Sequence, residues 1–219
     1  MLMSTKILVH GSGHKAASWN KTISLLEDNK DIMCPNLSSI LEGKEASYEN
    51  LYSSFAKYCN KTDGQIHLCG LSLGGILTLN YALDFPKKVK TLVLIGTPYK
   101  VPKAAFRIQT IIFKILPKSA FKSMAFDKKD TLALGSTLEN LDFSDKVKNI
   151  TCPTLILCGK KDSTNMKSAY YLSQNIKNSE LKVIENTGHI VNEENPEALA
   201  KILNEYYLQT PKQKGAVAR

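Results

Sequence analysis

The chain has 219 residues, of which 43% are hydrophobic and 22% are charged, and its formal net charge is +9. This length suits one substantial core, and the composition excludes a disordered chain, a collagen-like repeat and a disulfide-dense miniature scaffold. No apolar run approaches the ~20 residues that span a bilayer, and no secretory pattern follows Met1, so we expect a cytoplasmic protein without stable membrane insertion.

Short apolar and β-branched runs alternate along the chain with longer segments of helical period. This alternation predicts an α/β fold in which parallel strands are joined by crossover helices. The six predicted strands are Lys6–Val9, Asp31–Cys34, Ile66–Cys69, Thr91–Ile95, Thr154–Cys158 and Leu181–Glu185. Most of these runs are apolar throughout, as expected for strands that helices cover on both faces.

Five helices are predicted between these strands: Ala17–Asn29, Tyr48–Cys59, Ser72–Asp84, Ser163–Ile176 and Pro196–Tyr207. The helix Ser72–Asp84 should end before Phe85-Pro86, because proline cannot continue a helix. No repeat of fixed period and no linker rich in glycine and serine divides the chain. We therefore expect one core domain, formed by residues 1–97 and 149–210, and a flexible tail at 211–219.

The segment from Pro98 to Lys148, called the insertion below, has only helical patterns and is predicted to form a helical cap. Its apolar residues recur with helical spacing, at Ile108, Ile111, Ile112, Ile115 and Leu116. We expect this stripe to pack against the core domain. A helix that lies on a membrane surface is the alternative, although the stripe is short for that role.

Positive charge is concentrated in the insertion. Eight basic and two acidic residues lie between Pro98 and Asp130, which gives this segment a charge of +6. The simplest interpretation is a solvated helix face, and the alternative is attraction of an anionic substrate or an acidic surface. Nucleic-acid binding is disfavoured, because no basic run is interleaved with aromatic residues that could stack on bases.

The five cysteines form no C-x-x-C pair, and most lie in or beside apolar runs. A cysteine in such surroundings behaves as a small hydrophobic side chain. We therefore expect reduced thiols in a cytosolic compartment, and no structural zinc site.

The strongest motif is Gly70-Leu71-Ser72-Leu73-Gly74, which joins a predicted strand to a predicted helix. To present a serine hydroxyl at the end of a strand, the chain must turn sharply and strain the serine backbone. Gly70 and Gly74 leave room for this turn, because side chains there would collide with the neighbouring strand and helix. Ser72 is therefore the predicted nucleophile.

A serine hydroxyl needs a base that takes its proton. Of the four histidines, His67 lies inside an apolar strand, where a buried structural role is expected. His10 and His14 flank a glycine turn after the first strand. His189 follows the last predicted strand, in a loop that can reach the carboxyl edge of the sheet, and it is the predicted base.

A carboxylate should orient that base. Asp162 directly follows the strand Thr154–Cys158, which places it at the same edge of the sheet as Ser72 and His189. Asp142 and Asp145 precede that strand and would lie at its other end. Asp162 is therefore the predicted acid.

Acyl transfer also needs N–H donors for the oxyanion of the tetrahedral intermediate. The amide of Leu73, immediately after the nucleophile, is one candidate. The second is the amide of Ser12, in the turn after the first strand. There Gly11 and Gly13 let the backbone approach a substrate.

Taken in this order, the motifs resemble those of the α/β-hydrolase family, from Lys6 to about Tyr207. The loop His10-Gly11-Ser12-Gly13 is similar to its oxyanion loop, Gly70–Gly74 to its nucleophile elbow, Gly159–Asp162 to its acid loop and Gly188-His189 to its histidine loop. The resemblance implies a predominantly parallel sheet and a cap between the sixth and seventh strands of the family, here the insertion. It also implies a serine carboxylesterase-like hydrolase, which cleaves an ester or related acyl bond of a small molecule without metal or cofactor.

The chain departs from the family pattern at its start. Members commonly begin with a β-hairpin, whereas here the strand that leads to His10-Gly11 starts almost at Met1. We therefore expect a sheet of six strands that lacks the two N-terminal edge strands. The edge strand exposed in this way is a candidate contact for a homodimer.

Other interpretations stay open. The segment Gly11–Ala16 also fits the dinucleotide-binding pattern G-x-G-x-x-A, but the next strand leads into Cys34-Pro35-Asn36-Leu37, without a carboxylate for the ribose. A metal site at His10 and His14 is disfavoured, because a glycine turn does not present them as helical i, i+4 ligands. A ligand-binding protein without activity could use the same scaffold. Thioesterase, lactonase, C–C hydrolase or acyltransferase activity could use the same residues.

Overall fold

The computed structural model describes residues 5–101 and 103–209, without the side chains of residues 103–106 and 109. Six strands form one sheet in the order β2-β1-β3-β4-β5-β6, and every neighbouring pair is parallel. The strands are β1 Lys6–Val9, β2 Ile32–Met33, β3 Ile66–Leu71, β4 Val89–Ile95, β5 Thr154–Gly159 and β6 Ser179–Ile184. The predicted fold class is confirmed, while the tail predicted at 211–219 lies outside the described residues.

Nine α-helices occur within the described ranges: α1 Asn20–Ser24, α2 Leu37–Ile40, α3 Tyr48–Asn60, α4 Leu73–Asp84, α5 Lys103–Ile115, α6 Lys128–Leu138, α7 Ser163–Asn175, α8 Val191–Glu194 and α9 Pro196–Gln209. Short 3-10 helices lie at Ala16–Trp19, Lys118–Phe121 and Val147–Asn149. With one exception, the ends of the predicted elements differ from these by two residues at most.

The exception is the predicted helix Ala17–Asn29, which is wrong in extent. A 3-10 turn precedes α1, and α1 ends at Ser24. The backbone beyond it pairs with α9 instead: the Glu27 amide donates to Asn204 Oδ1 at 3.1 Å, and Asn204 Nδ2 donates to the Leu25 carbonyl at 3.2 Å. These tertiary hydrogen bonds satisfy groups that a longer helix would have paired, and no local pattern predicts them.

The core has one layer on each face of the sheet, because alternate residues of a strand point to opposite faces. On one face, Ile7 and Val9 of β1 join a buried cluster with side chains from α3, α4, α6 and α7. On the other face, Leu8 joins a second cluster to which α9 contributes Leu199 and Leu203. Helices on both faces explain why β3 and β5 are buried along their whole length.

The edge strand β2 has only two residues. A short edge exposes few free backbone N–H and C=O groups to a second chain. A homodimer built on this edge would therefore form few backbone hydrogen bonds.

The insertion joins β4 to β5, and its two ends are tied together. Lys100 and Asp142 form an isolated antiparallel bridge. Beside it, the Phe143 amide donates to the Tyr99 carbonyl at 2.9 Å, and the Val101 amide donates to the Leu141 carbonyl at 3.2 Å. The insertion therefore leaves and rejoins the sheet through one narrow neck.

The prediction that the isoleucine stripe packs against the core domain is wrong. Its four isoleucines lie together on the outer face of α5, which we call the isoleucine face. They are largely exposed, at 61% for Ile108, 57% for Ile111, 50% for Ile112 and 79% for Ile115. Among the described residues, no helix is both long and apolar enough to cross a bilayer.

Contacts at its C-terminal end hold α5 in this rotation. Phe113, on the opposite face from the isoleucines, packs edge-to-face on Phe121 with 5.7 Å between ring centroids. The Lys128 ammonium donates to the carbonyls of Lys114 at 2.7 Å and Leu116 at 2.6 Å. A buried aromatic ring and a lysine that caps the helix therefore decide which face turns inward, although the other face has the more regular apolar spacing.

His67 on β3 is buried, as expected, and it makes the fold sensitive to acid. Its Nδ1 lies 2.7 Å from Thr91 Oγ1, and burial lowers the pKa of the imidazole from 6.5 to about 4. The unfolded chain therefore binds the proton more readily, so this contribution to stability is lost as the pH falls from about 6.5 to about 4.

We expect His67 alone to remove about 3 kcal/mol from the free energy of unfolding over this range. Urea unfolding of the unmodified chain and of His67→Gln, at about pH 7 and about pH 4, measures the loss. The variant should lose less stability on acidification. An identical loss in both proteins would contradict the assignment.

Candidate functional site

Ser72 sits in the sharp turn between β3 and α4. Its backbone has φ 54° and ψ −113°, a conformation that residues other than glycine rarely adopt. A methyl group on Gly70 would lie 2.3 Å from the Gly74 carbonyl oxygen, and one on Gly74 would lie 2.3 Å from the Val9 carbonyl oxygen of β1. The collisions expected at both glycines are therefore confirmed, and the turn requires them.

Asp162 and His189 are joined by a hydrogen bond. His189 Nδ1 lies 2.7 Å from Asp162 Oδ2. Asp162 follows β5 and also caps α7, since its Oδ1 accepts from the Asn165 amide at 3.2 Å. Burial opposes the charged form of Asp162, but hydrogen bonds from His189 and Asn165 outweigh it and lower the pKa of the carboxyl below its usual value. An ionised Asp162 holds the proton of His189 on Nδ1, which leaves Nε2 free to accept another.

The His189 ring lies against Gly96, the residue after β4. A methyl group on Gly96 would be 2.9 Å from His189 Nδ1 and 3.1 Å from Asp162 Oδ2, and its φ of +51° also favours glycine. The Ser72 amide donates to the carbonyl of Ile95, the preceding residue, at 2.9 Å. Ser72 and the imidazole therefore occupy the ends of neighbouring strands.

No hydrogen bond joins the Ser72 hydroxyl to His189 in the part of the chain that the structure describes. Bonds between a nucleophile and its base are often long without substrate and tighten in the substrate complex. Asp162 and His189 are thus already hydrogen-bonded to each other. Ser72 lies at the end of β3, beside the end of β4 where the imidazole is placed.

The loop after β1 lies beside Ser72. A methyl group on Gly11 would be 3.5 Å from Ser72 Cβ, which is ordinary contact, and one on Gly13 would meet no atom within 4 Å. Contacts within the protein therefore do not require glycine at position 11 or 13. The backbone at Gly13 borders open space. Leu73 begins α4, so its amide has no acceptor within the helix. The amides of Ser12 and Leu73 are on the two chain segments that flank Ser72.

His10 and His14 have other surroundings. His10 is fully buried, its Nδ1 lies 2.7 Å from the Gly11 carbonyl oxygen, and its Nε2 accepts from the Leu37 amide at 3.1 Å. It thus ties the loop after β1 to α2, and burial lowers its pKa. His14 lies 3.9 Å from Glu193, and burial lowers its pKa too. Neither belongs to a cluster of metal-binding side chains among the described residues.

Two further side chains support the pair and have no counterpart in the sequence predictions. Asn165 Nδ2 lies 3.0 Å from each oxygen of Asp162. Glu194 accepts from the Gly188 amide at 2.6 Å and from the Ile190 amide at 3.0 Å, so it holds both amides that flank His189. Asn165 lies three residues after Asp162, a spacing at which two side chains on a helix can meet, and this spacing is a usable signal. No sequence pattern indicates the role of Glu194.

A mostly apolar cavity opens between α5, α6 and the loop after β1. Its enclosed volume is about 40 Å³, within a cleft of about 420 Å³ that includes open solvent. Its lining includes Ser12, Thr110, Phe113, Phe126, Leu134 and Leu138. Ser12 is on the loop that borders Ser72 and connects the cavity to that loop, whereas Ser72 and His189 do not line it.

Several known proteins are similar to this chain. The monoacylglycerol lipase ABHD6 of Rattus norvegicus is 21% identical over 250 residues, covering 91% of this chain and 74% of that protein. A putative 2-succinyl-6-hydroxy-2,4-cyclohexadiene-1-carboxylate synthase of Bacillus subtilis (strain 168) is 21% identical over 243 residues, covering 91% and 89%. The structure of a thermophilic esterase from Thermogutta terrifontis has a TM-score of 0.76 and 20% identity, covering 95% of this chain and 90% of that chain.

At these identities the likeness shows the fold and leaves the substrate open. A match to a whole protein family says more about the relationship of this chain. The family described as the alpha/beta hydrolase family matches residues 7–202, a range that includes Ser12, Ser72, Asp162 and His189. The chain therefore belongs to the alpha/beta hydrolase family.

Proposed function

We propose that the protein is a serine hydrolase that cleaves a carboxylic ester, or a related acyl bond, of a small molecule. The observation that carries this proposal is the Asp162–His189 hydrogen bond at the strand end next to the strained Ser72. A histidine oriented by a buried carboxylate is the base that a serine nucleophile needs. Neither the dinucleotide-binding nor the metal-binding interpretation accounts for this pair.

In the proposed mechanism, Ser72 Oγ bonds to the substrate carbonyl carbon while its proton moves to His189 Nε2. The amides of Leu73 and Ser12 would hold the oxyanion that forms. When the intermediate collapses, the alcohol leaves with the proton from His189. Water then attacks the acyl-enzyme in the same way, which releases the carboxylic acid and restores the serine.

We propose that the insertion, residues 98–148, is a cap over the core domain formed by residues 1–97 and 149–210. The cavity between α5, α6 and Ser12 would then take the acyl side of the substrate. Its lining of phenylalanine and leucine side chains suits a hydrocarbon group better than a charged one.

Covalent labelling tests the proposal directly. A fluorophosphonate should add to Ser72 in the native protein, and the adduct mass should appear on the peptide that contains it. The labelled chain should also lose turnover in a panel of p-nitrophenyl esters of increasing acyl length, extended with thioesters and lactones. Intact protein that forms no adduct would favour a ligand-binding protein without catalysis.

Glu194 offers a sharper test of how the histidine is positioned. We expect Glu194→Ala to lower kcat between about tenfold and about 10²-fold with little change in KM, because His189 loses the carboxylate that holds both flanking amides. Glu193→Ala is the matched control, since that exposed side chain makes no such bonds. Steady-state kinetics on both variants measures the effect, and equal losses in the two would refute a specific role for Glu194.

We further propose that the protein works in the cytoplasm. All five cysteines are free, and burial raises the pKa of Cys34 to about 11 and that of Cys158 to about 12. Free thiols are typical of reducing compartments. Cell fractionation with an antibody against the chain tests the location.

A further inference from the structure

The isoleucine face on α5 is the largest group of adjacent exposed apolar side chains in the described part of the chain. The other large exposed apolar residues are Phe85 and Tyr170, which lie on different elements, and Leu25 and Leu208, which border one cleft between the end of α1 and α9. Single apolar residues on a surface need no explanation, whereas a contiguous apolar patch marks an interaction site. We therefore expect a partner to bind the isoleucine face.

Basic residues are concentrated on one flank of this face and in the segment that follows α5. Arg107 and Lys114 are exposed on α5, and Lys118 and Lys122 are exposed in the residues that follow. Arg107 pairs with Glu139 at 3.0 Å, so the lysines supply most of the unbalanced charge. The opposing acids near them in sequence are Asp127 and Asp130. The isoleucine face therefore lies in a segment with an excess of positive charge.

The charge and the shape of the isoleucine face indicate which kind of partner it binds. A second copy placed symmetrically on this face would bring one positively charged segment against another. A protein partner would need a groove that fits a convex helix, whereas a lipid surface deforms around it. Anionic headgroups match the lysines, and the acyl region takes up the isoleucines.

We propose that the isoleucine face docks reversibly on an anionic bilayer surface, with α5 lying in the plane of the interface. The cytoplasmic leaflet carries the negative charge that this requires. The opposite face of α5 lines the apolar cavity through Thr110 and Phe113. Docking would place that cavity one helix away from the lipid. If the proposed function holds, acyl esters that partition into membranes are its substrates.

Vesicle flotation tests the docking without any need for turnover. The full chain should float with vesicles of phosphatidylcholine mixed with phosphatidylglycerol, and it should bind vesicles of phosphatidylcholine alone at least about tenfold more weakly. The double variant Ile111→Gln with Ile115→Gln should weaken binding about tenfold or more, because less apolar area leaves water. Leu208→Gln, at a residue of similar exposure on α9, is the matched control and should bind normally.

The double variant Lys114→Gln with Lys118→Gln tests the role of charge separately. It should bind anionic vesicles more weakly, and its binding should depend less on salt concentration than that of the unmodified chain. Equal binding of the isoleucine variant and the unmodified chain would overturn the proposal. So would a dimer in sedimentation equilibrium that this variant dissociates, because the face would then belong to a second copy. Ser72→Ala should still float, so a failure of the proposed hydrolysis is distinguishable from a failure of docking.

Discussion

Replacing Ser72 by alanine should reduce turnover of a short p-nitrophenyl ester by at least about 10⁴-fold, with little change in the melting temperature. The substitution removes the hydroxyl oxygen that would bond to the carbonyl carbon, and the oxyanion donors alone supply only a small part of the rate. The fold should tolerate it, because the side chain is not fully buried and alanine keeps the same Cβ.

A glycine variant of Ser72 distinguishes the loss of catalysis from the effect of backbone strain on stability. Ser72→Gly should be equally inactive, yet more stable than Ser72→Ala by about 1 kcal/mol, because glycine adopts φ 54° without steric cost. Ester kinetics and thermal unfolding on both variants check these results, with Ser24→Ala, at an exposed serine, as control. Full activity in Ser72→Ala would refute the assignment of the nucleophile.

Asp162→Asn should reduce kcat by about 10³-fold to about 10⁴-fold. An amide at this position no longer holds the proton on His189 Nδ1, so Nε2 is not reliably available to accept the serine proton. The asparagine oxygen can still cap α7, so we expect a small loss of stability. Asp162→Ala also removes the cap and should cost about 1 kcal/mol more.

Asp145→Asn is the matched control for this prediction. Asp145 is an exposed aspartate that precedes β5, at the other end of that strand from His189. Measured kcat values should fall for Asp162→Asn and stay unchanged for Asp145→Asn. A comparable loss in both would mean that general charge, and not the bond to His189, supports turnover.

Much of this site could be predicted because its determinants are local. The Gly70–Gly74 turn specifies a strand, a sharp bend and a helix within a few residues. Parallel strands bring their carboxyl ends to one edge, so Asp162 after β5 and His189 after β6 had to approach that edge together. Topology and loop length thus explain why the two side chains come close enough for their hydrogen bond of 2.7 Å.

The remaining features depend on contacts between residues distant in sequence. The early end of α1 depends on hydrogen bonds to Asn204, and the rotation of α5 depends on Phe121 and Lys128. A periodic pattern shows which face of a helix is apolar, but not which face meets a neighbour. The role of Glu194 could not be predicted either, because a carboxylate that accepts hydrogen bonds from loop amides produces no periodic pattern in the sequence.

The narrow neck at Tyr99 and Phe143 has a consequence for how this chain can diversify. Both ends of the insertion are fixed within one hydrogen-bonded bridge, so the sheet receives the same anchor whatever lies between them. A foreign helical hairpin transplanted at this neck should leave the strands undisturbed. We therefore expect other insertions to be accepted at this neck while the strand ends that hold Ser72 and Asp162 stay in place.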